Sequence, residues 1–130
     1  MNLKWLGKQY FQFSNFICED DLLASEIVVN AANNLLLENA EVLRRPEVRD
    51  HQIIIFKLLL TMAKRKLASY SRHTQDLSKR AVFFLGSFLD FDEAECAYIS
   101  DIPETQVLKI VESFRYKVLE GNKVKNEYRA

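Results

Sequence analysis

Glycine, proline and cysteine are all scarce in this chain: three, two and two residues of 130. So few turn formers leave no room for the many tight reversals of an all-β fold. The two cysteines, Cys18 and Cys96, lie far apart within apolar stretches. They read as buried thiols in a reducing cytoplasm rather than as a disulfide. Long apolar runs are missing too. Ile53 to Leu60 is the strongest, and it is too short, and interrupted by Lys57, to span a bilayer. No signal peptide is visible. Net charge is zero, so no global field draws the chain to nucleic acid or membrane. There is no Gly-rich phosphate loop, nucleophile elbow or paired-carboxylate motif, and His51 and His73 stand alone without metal-ligand spacing. These absences argue against an enzyme, a metal, a cofactor or a small-molecule substrate.

What remains is 48% hydrophobic and 28% charged, the balance of a folded chain with one core or two small lobes. Apolar periodicity and end signals predict an all-α, compact bundle of about six helices, at 3–16, 20–37, 48–71, 78–89, 92–99 and 103–120. The first carries Trp5, Leu6, Tyr10, Phe13 and Phe16 near helical spacing, a stripe that reads as core. Glu19, Asp20 and Asp21 place negative charge at the exposed amides opening the second. Residues 38–50, with Arg44, Arg45, Pro46 and Arg49, read as a connection. In Ile53 to Leu60 seven of eight residues are apolar, which predicts a helix buried nearly all round. Ser71 to Asp76 is a short polar link, and the tail after Glu120 reads as polar and frayed.

Charge is unevenly distributed. Residues 1–40 carry two basic and five acidic side chains, 41–80 ten and four, and 81–130 six and nine, so the middle third is at +6 between flanks at −3 each.

The C-terminal stretch has the content of two helices crossing at a tight turn. Asp92 and Glu95 suit an N-cap and its reciprocal partner. Ala97 is small where helices must approach, Ile99 and Ile102 flank the turn, and Asp101 tolerates a left-handed conformation. Pro103 is pre-set for the start of the next helix. The run Ala81 to Leu89, then Glu95-Cys96-Ala97, Ile102-Pro103 and Val107, resembles without a gap the fourth region of bacterial sigma factors of the extracytoplasmic-function kind. It departs from that family where a turn glycine and basic or small polar residues are expected, carrying Asp101, Glu104, Leu108 and Ile110 with Lys109 alone between them.

Two weaker likenesses accompany it. Asp20 to Ile27 is similar to the acidic-apolar opening of the second sigma region, whose helix grips the polymerase clamp in that family. Phe56 to Tyr70 resembles, with one residue of slippage, the helix that contacts and opens the downstream promoter element. The resemblance implies a region 2-like lobe at 1–73, a region 4-like helix-turn-helix lobe at 74–122 and a polar tail at 123–130. Because the link is short, the lobes are expected to pack together.

Two mechanisms follow from the resemblance. In one, the chain touches DNA through Lys64, Arg65 and Lys66 from the first lobe and Gln106, Lys109 and Arg115 from the second. Residues 90–121, however, hold eight acids against three bases, a local charge that repels phosphate. In the other, which this charge favours, the surface binds an anti-sigma factor or RNA polymerase, with Asp20, Asp21 and Leu108 as contacts. Leu108 lies off the Val107, Ile110, Phe114 stripe and is free to face a partner. An ordinary helical hairpin, a solvated basic face, and a helical structural or interaction protein without a transcriptional role are the alternatives.

Overall fold

The computed structural model describes the backbone of residues 3–68 and 74–128 and the side chains of residues 6–68 and 76–117. Among the described residues there are seven helices: α1 (Leu3–Cys18), α2 (Asp21–Glu38), α3 (Ala40–Arg44), α4 (Arg49–Ala68), α5 (Thr74–Phe88), α6 (Glu93–Ser100) and α7 (Glu104–Tyr128). No strand occurs among the described residues, and the fold is all-α as expected. Residues 69–71, expected to finish α4, and His73 lie outside the described residues, as do the side chains of the expected tail.

Several expectations about the helices are corrected, among them the start of α5, which begins at Thr74 inside the expected Ser71 to Asp76 link rather than at 78. Residues 38–50 are not a plain connection, because the five-residue α3 lies within them and buries Val42. So short an element has no periodicity to read. The region after Glu120 continues α7 to Tyr128 rather than ending it.

The scarcity of glycine has a visible consequence. Among the described residues three chain reversals need a left-handed residue, and acidic side chains fill them: Glu19 (φ 57°), Asp90 (φ 58°) and Asp101 (φ 55°). Each costs about 1 kcal/mol relative to a relaxed backbone. Local hydrogen bonds offset that cost. The Glu19 N–H donates to Asn15 O at 2.7 Å, Phe91 N–H reaches back to Leu85 O at 3.1 Å and Ile102 N–H to Ala97 O at 3.2 Å, so carbonyls at each helix end are satisfied. Asp92 and Glu95 form the expected capping box: Asp92 Oδ1 accepts from Glu95 N at 2.8 Å and Glu95 Oε1 from Asp92 N at 3.0 Å. Asp101 is left-handed, as its residue type suggested.

Buried apolar side chains from all seven helices form one contiguous core. At its middle is α4, which packs against α1, α2, α3, α5 and α6. Small residues on the inner face of α2, Ala24 and Ala31, flank Ile27 and let the helix lie close to its neighbours. The centre is aromatic: Phe56 of α4 meets the rings of Tyr10, Phe13 and Phe91 at 5.4, 5.1 and 5.6 Å, edge to face in each case. The expectation that α4 is buried nearly all round is corrected, because Ile54 is exposed and Lys57 half-buried. The inner face is Ile55, Phe56, Leu59, Leu60, Ala63 and Leu67.

Polar contacts also join α4 to the C-terminal stretch. Arg49 donates to both carboxylate oxygens of Glu95, at 2.7 and 2.8 Å, and to Asp90 O at 3.0 Å, while its guanidinium lies 3.8 Å from the Phe91 ring centroid. Lys57 Nζ donates to Tyr98 O at 2.6 Å, with the Tyr98 ring centroid 4.3 Å away. No described helix is long and apolar enough to cross a membrane.

Cys18 and Cys96 are both buried and not disulfide-bonded. Burial, together with Asp92 and Glu95 nearby, pushes the Cys96 thiol up to about 12. A thiolate is the reactive form. Cys96 in the native protein is therefore expected to resist an aromatic disulfide reagent at pH 8 and to react after unfolding in guanidinium. Fast native labelling at this position would contradict the packing of α6.

Candidate interaction surfaces

Successive residues on a helix point about 100° apart, so a run of three basic residues cannot share one face. The structure sends Lys64, Arg65 and Lys66 three ways. Lys66 Nζ binds Glu26 Oε1 of α2 at 2.6 Å. Arg65 faces solvent. Lys64 is half-buried in a cleft that also holds Gln106 and Asp101. Burial pulls the Lys64 ammonium below its usual range, Asp101 opposes that and Lys57 adds to it. Adjacency in the chain groups these two lysines and one arginine, and the fold separates them.

The residues expected on α7 are likewise dispersed. Val107, Ile110 and Phe114 turn inward onto the core, which leaves Gln106, Lys109 and Arg115 on the remaining arc. Gln106 and Arg115 are nine positions apart, hence on roughly opposite sides of the helix. Only Gln106 meets a residue from the other half of the expected set, across the cleft from Lys64. Leu108 is 56% exposed, in agreement with its place off the inward stripe.

On α2 the two acids expected at a partner contact have different roles. Asp20 is the N-cap, and its side chain accepts from Leu23 N at 3.0 Å. Asp21 stands exposed in the first turn. The larger feature is the outer face of the helix. Leu22, Val29 and Leu36, at successive intervals of seven, are 85%, 57% and 60% exposed, and Leu37 beside them is 88% exposed. This stripe runs about 21 Å along α2.

Apolar side chains occupy both faces of α2, so periodicity alone could not say which face is covered. The stripe has acids at both ends, Asp20 and Asp21 at one and Glu38 and Glu41 at the other. No lysine or arginine occurs between Lys8 and Arg44, so the only described cation bound to α2 is Lys66 of α4, on Glu26.

Two further cationic positions were not found from sequence. Arg49 and Lys57 are held on Glu95, on backbone carbonyls and on aromatic rings, and their partners lie more than forty positions away in the chain. His51 Nδ1 lies 2.6 Å from Arg45 O. Among the described residues no three His, Cys, Asp or Glu side chains are grouped to hold a metal ion. No protein-family model matches this chain, and neither a curated protein nor a solved structure shows significant similarity to it.

Proposed function

We propose that this chain is a sigma-like regulator of transcription that works by docking on another protein, an anti-sigma factor or RNA polymerase, and that α7 does not read bases. The observation that carries this reading is the outward stripe of α2. A monomeric surface rarely leaves several large aliphatic residues in line on one helix, and a seven-residue repeat suits a partner helix laid alongside. The acids at both ends favour a partner with basic residues flanking its apolar seam. Leu108 offers a second apolar contact near the α6–α7 turn. DNA reading is disfavoured by the dispersal of the basic set and by the acids around α7, since phosphate contact dominates affinity for duplexes. Such a regulator acts in the cytoplasm, where Cys18 and Cys96 stay as thiols.

The test uses the full chain with purified RNA polymerase core and a purified anti-sigma factor. Leu22→Asp combined with Leu36→Asp is expected to weaken binding at least about tenfold, which is about 1.4 kcal/mol. Exposed positions of this kind change stability by only about 0.5 kcal/mol, so the variant should melt with the wild type, and Leu108→Asp should do so too. Failure of the wild type to bind either protein, or recovery of a defined motif when the full chain is selected on random duplexes, would overturn the proposal. Residues 77–122 alone are unsuitable for that selection, because Phe84 of α5 packs on Phe13 and Phe16 of α1.

A further inference from the structure

Between the C-terminal half of α4, the start of α5 and the turn into α7 lies a cleft of about 370 Å³. That is within the range of small-molecule sites, about 300 to 1,000 Å³. Lys64 of α4 and Lys79 of α5 both line it, and neither has an ion pair or hydrogen bond among the described residues. Ser78 is only 6% exposed and lines the cleft. A serine hydroxyl in the lining can both donate and accept a hydrogen bond. Gln106, in the first turn of α7, adds an amide to the same lining.

We propose that this cleft binds a small hydroxylated phosphomonoester, with Lys64 and Lys79 neutralising the phosphate and Ser78 and Gln106 donating hydrogen bonds to it. A phosphomonoester carries a charge of about −1.5 to −2 at neutral pH, which matches two ammonium groups better than a carboxylate does. Asp101 lies in the same lining. It opposes an anion placed against it and, in the absence of ligand, supports the charge on Lys64. With ligand bound it is an acceptor for a hydroxyl, which favours a polyol or sugar skeleton. Ile102 and Ile110 supply an apolar wall for that skeleton. The site joins α4 and α5 to the start of α7, so ligand binding stabilises their packing by mass action. It is independent of the protein-docking face on α2.

Calorimetric titration of the full chain at low ionic strength, with ribose 5-phosphate, ribose and inorganic phosphate as probes, tests the proposal. Ribose 5-phosphate is expected to saturate one site, to bind at least about tenfold more tightly than ribose, and to exceed inorganic phosphate by the contribution of its skeleton. Lys64→Met should weaken it about tenfold and Ser78→Ala several-fold. Arg65→Met removes the same charge one position along, outside the cleft, and should leave binding unchanged. Absence of saturable ribose 5-phosphate binding to the wild type would overturn the site. Equal losses in Lys64→Met and Arg65→Met would do so as well, since they would mark diffuse charge rather than a cleft. The conservative Ser78→Ala variant provides an independent measure should Lys64→Met alter the fold.

Discussion

Phe56→Ala is expected to destabilise the protein by about 4 kcal/mol, the middle of the range for truncating a fully buried phenylalanine. Phe56 has no exposed surface, and its ring joins α1, through Tyr10 and Phe13, to the segment before α6, through Phe91. No single small shift can refill a space bounded by three rings on two sides of the core. Against a typical total stability of about 5 to 15 kcal/mol, such a loss brings the chain close to unfolding at ambient temperature.

Urea unfolding read by circular dichroism measures the effect, and a loss below about 1.5 kcal/mol would mean that the aromatic cluster relaxes without cost. Tyr10 supplies a second readout. Its phenol is pushed up to about 12 by burial, and opening the cluster to water should bring it back towards the ordinary value of about 10, visible as phenolate absorbance at lower pH.

The contact between Arg49 and Glu95 should have the second largest effect. Arg49→Ala removes a bidentate ion pair, a bond to the Asp90 carbonyl and a cation–π contact with Phe91. The Arg49 side chain is 46% exposed and that of Glu95 19% exposed, so solvent screens part of the attraction, and the expected loss is about 2 kcal/mol rather than the full value of a buried pair. Arg49→Lys should recover only part of it, because an ammonium cannot reproduce the planar fork.

The same contact has a pH signature. Hydrogen bonding from Arg49, above all, holds the Glu95 carboxyl below its usual range, with the Asp92 backbone N–H adding to the effect and burial opposing it. A carboxyl lowered on folding contributes stability that is complete above its unfolded pKa, about 4.3, and is lost as pH falls through the folded value. The difference in urea midpoint between wild type and Glu95→Gln should be constant from about pH 6 to 8 and close as pH falls below about 4. A difference that persists at the lowest pH would place the stabilisation in packing rather than in the ionised pair.

Much of the fold was legible in the order of residues, and the parts that were are local. Helix ends are set by side chains three or four positions away. The Asp92–Glu95 box and the left-handed Asp101 could therefore be assigned without knowing where α6 and α7 pack. The inward stripe of Val107, Ile110 and Phe114 and the exposure of Leu108 follow from helical period alone, because only one face of α7 is strongly apolar.

Where two faces compete, period is silent. Apolar residues ring α2, and the choice to bury Ala24, Ile27, Ala31 and Leu35 depended on small residues fitting closely against neighbouring helices, which left Leu22, Val29 and Leu36 outside. The basic triplet shows the same limit for charge. Adjacency along the chain disperses side chains around a helix, and it took the positions of Glu26 on α2 and of the α5–α7 cleft to decide that Lys66 is paired, Lys64 enclosed and Arg65 free. The Arg49–Glu95 contact is the clearest case. Each residue alone is an ordinary surface charge, and only packing of the aromatic core between α1, α4 and α5 brings two positions 46 residues apart within hydrogen-bonding distance.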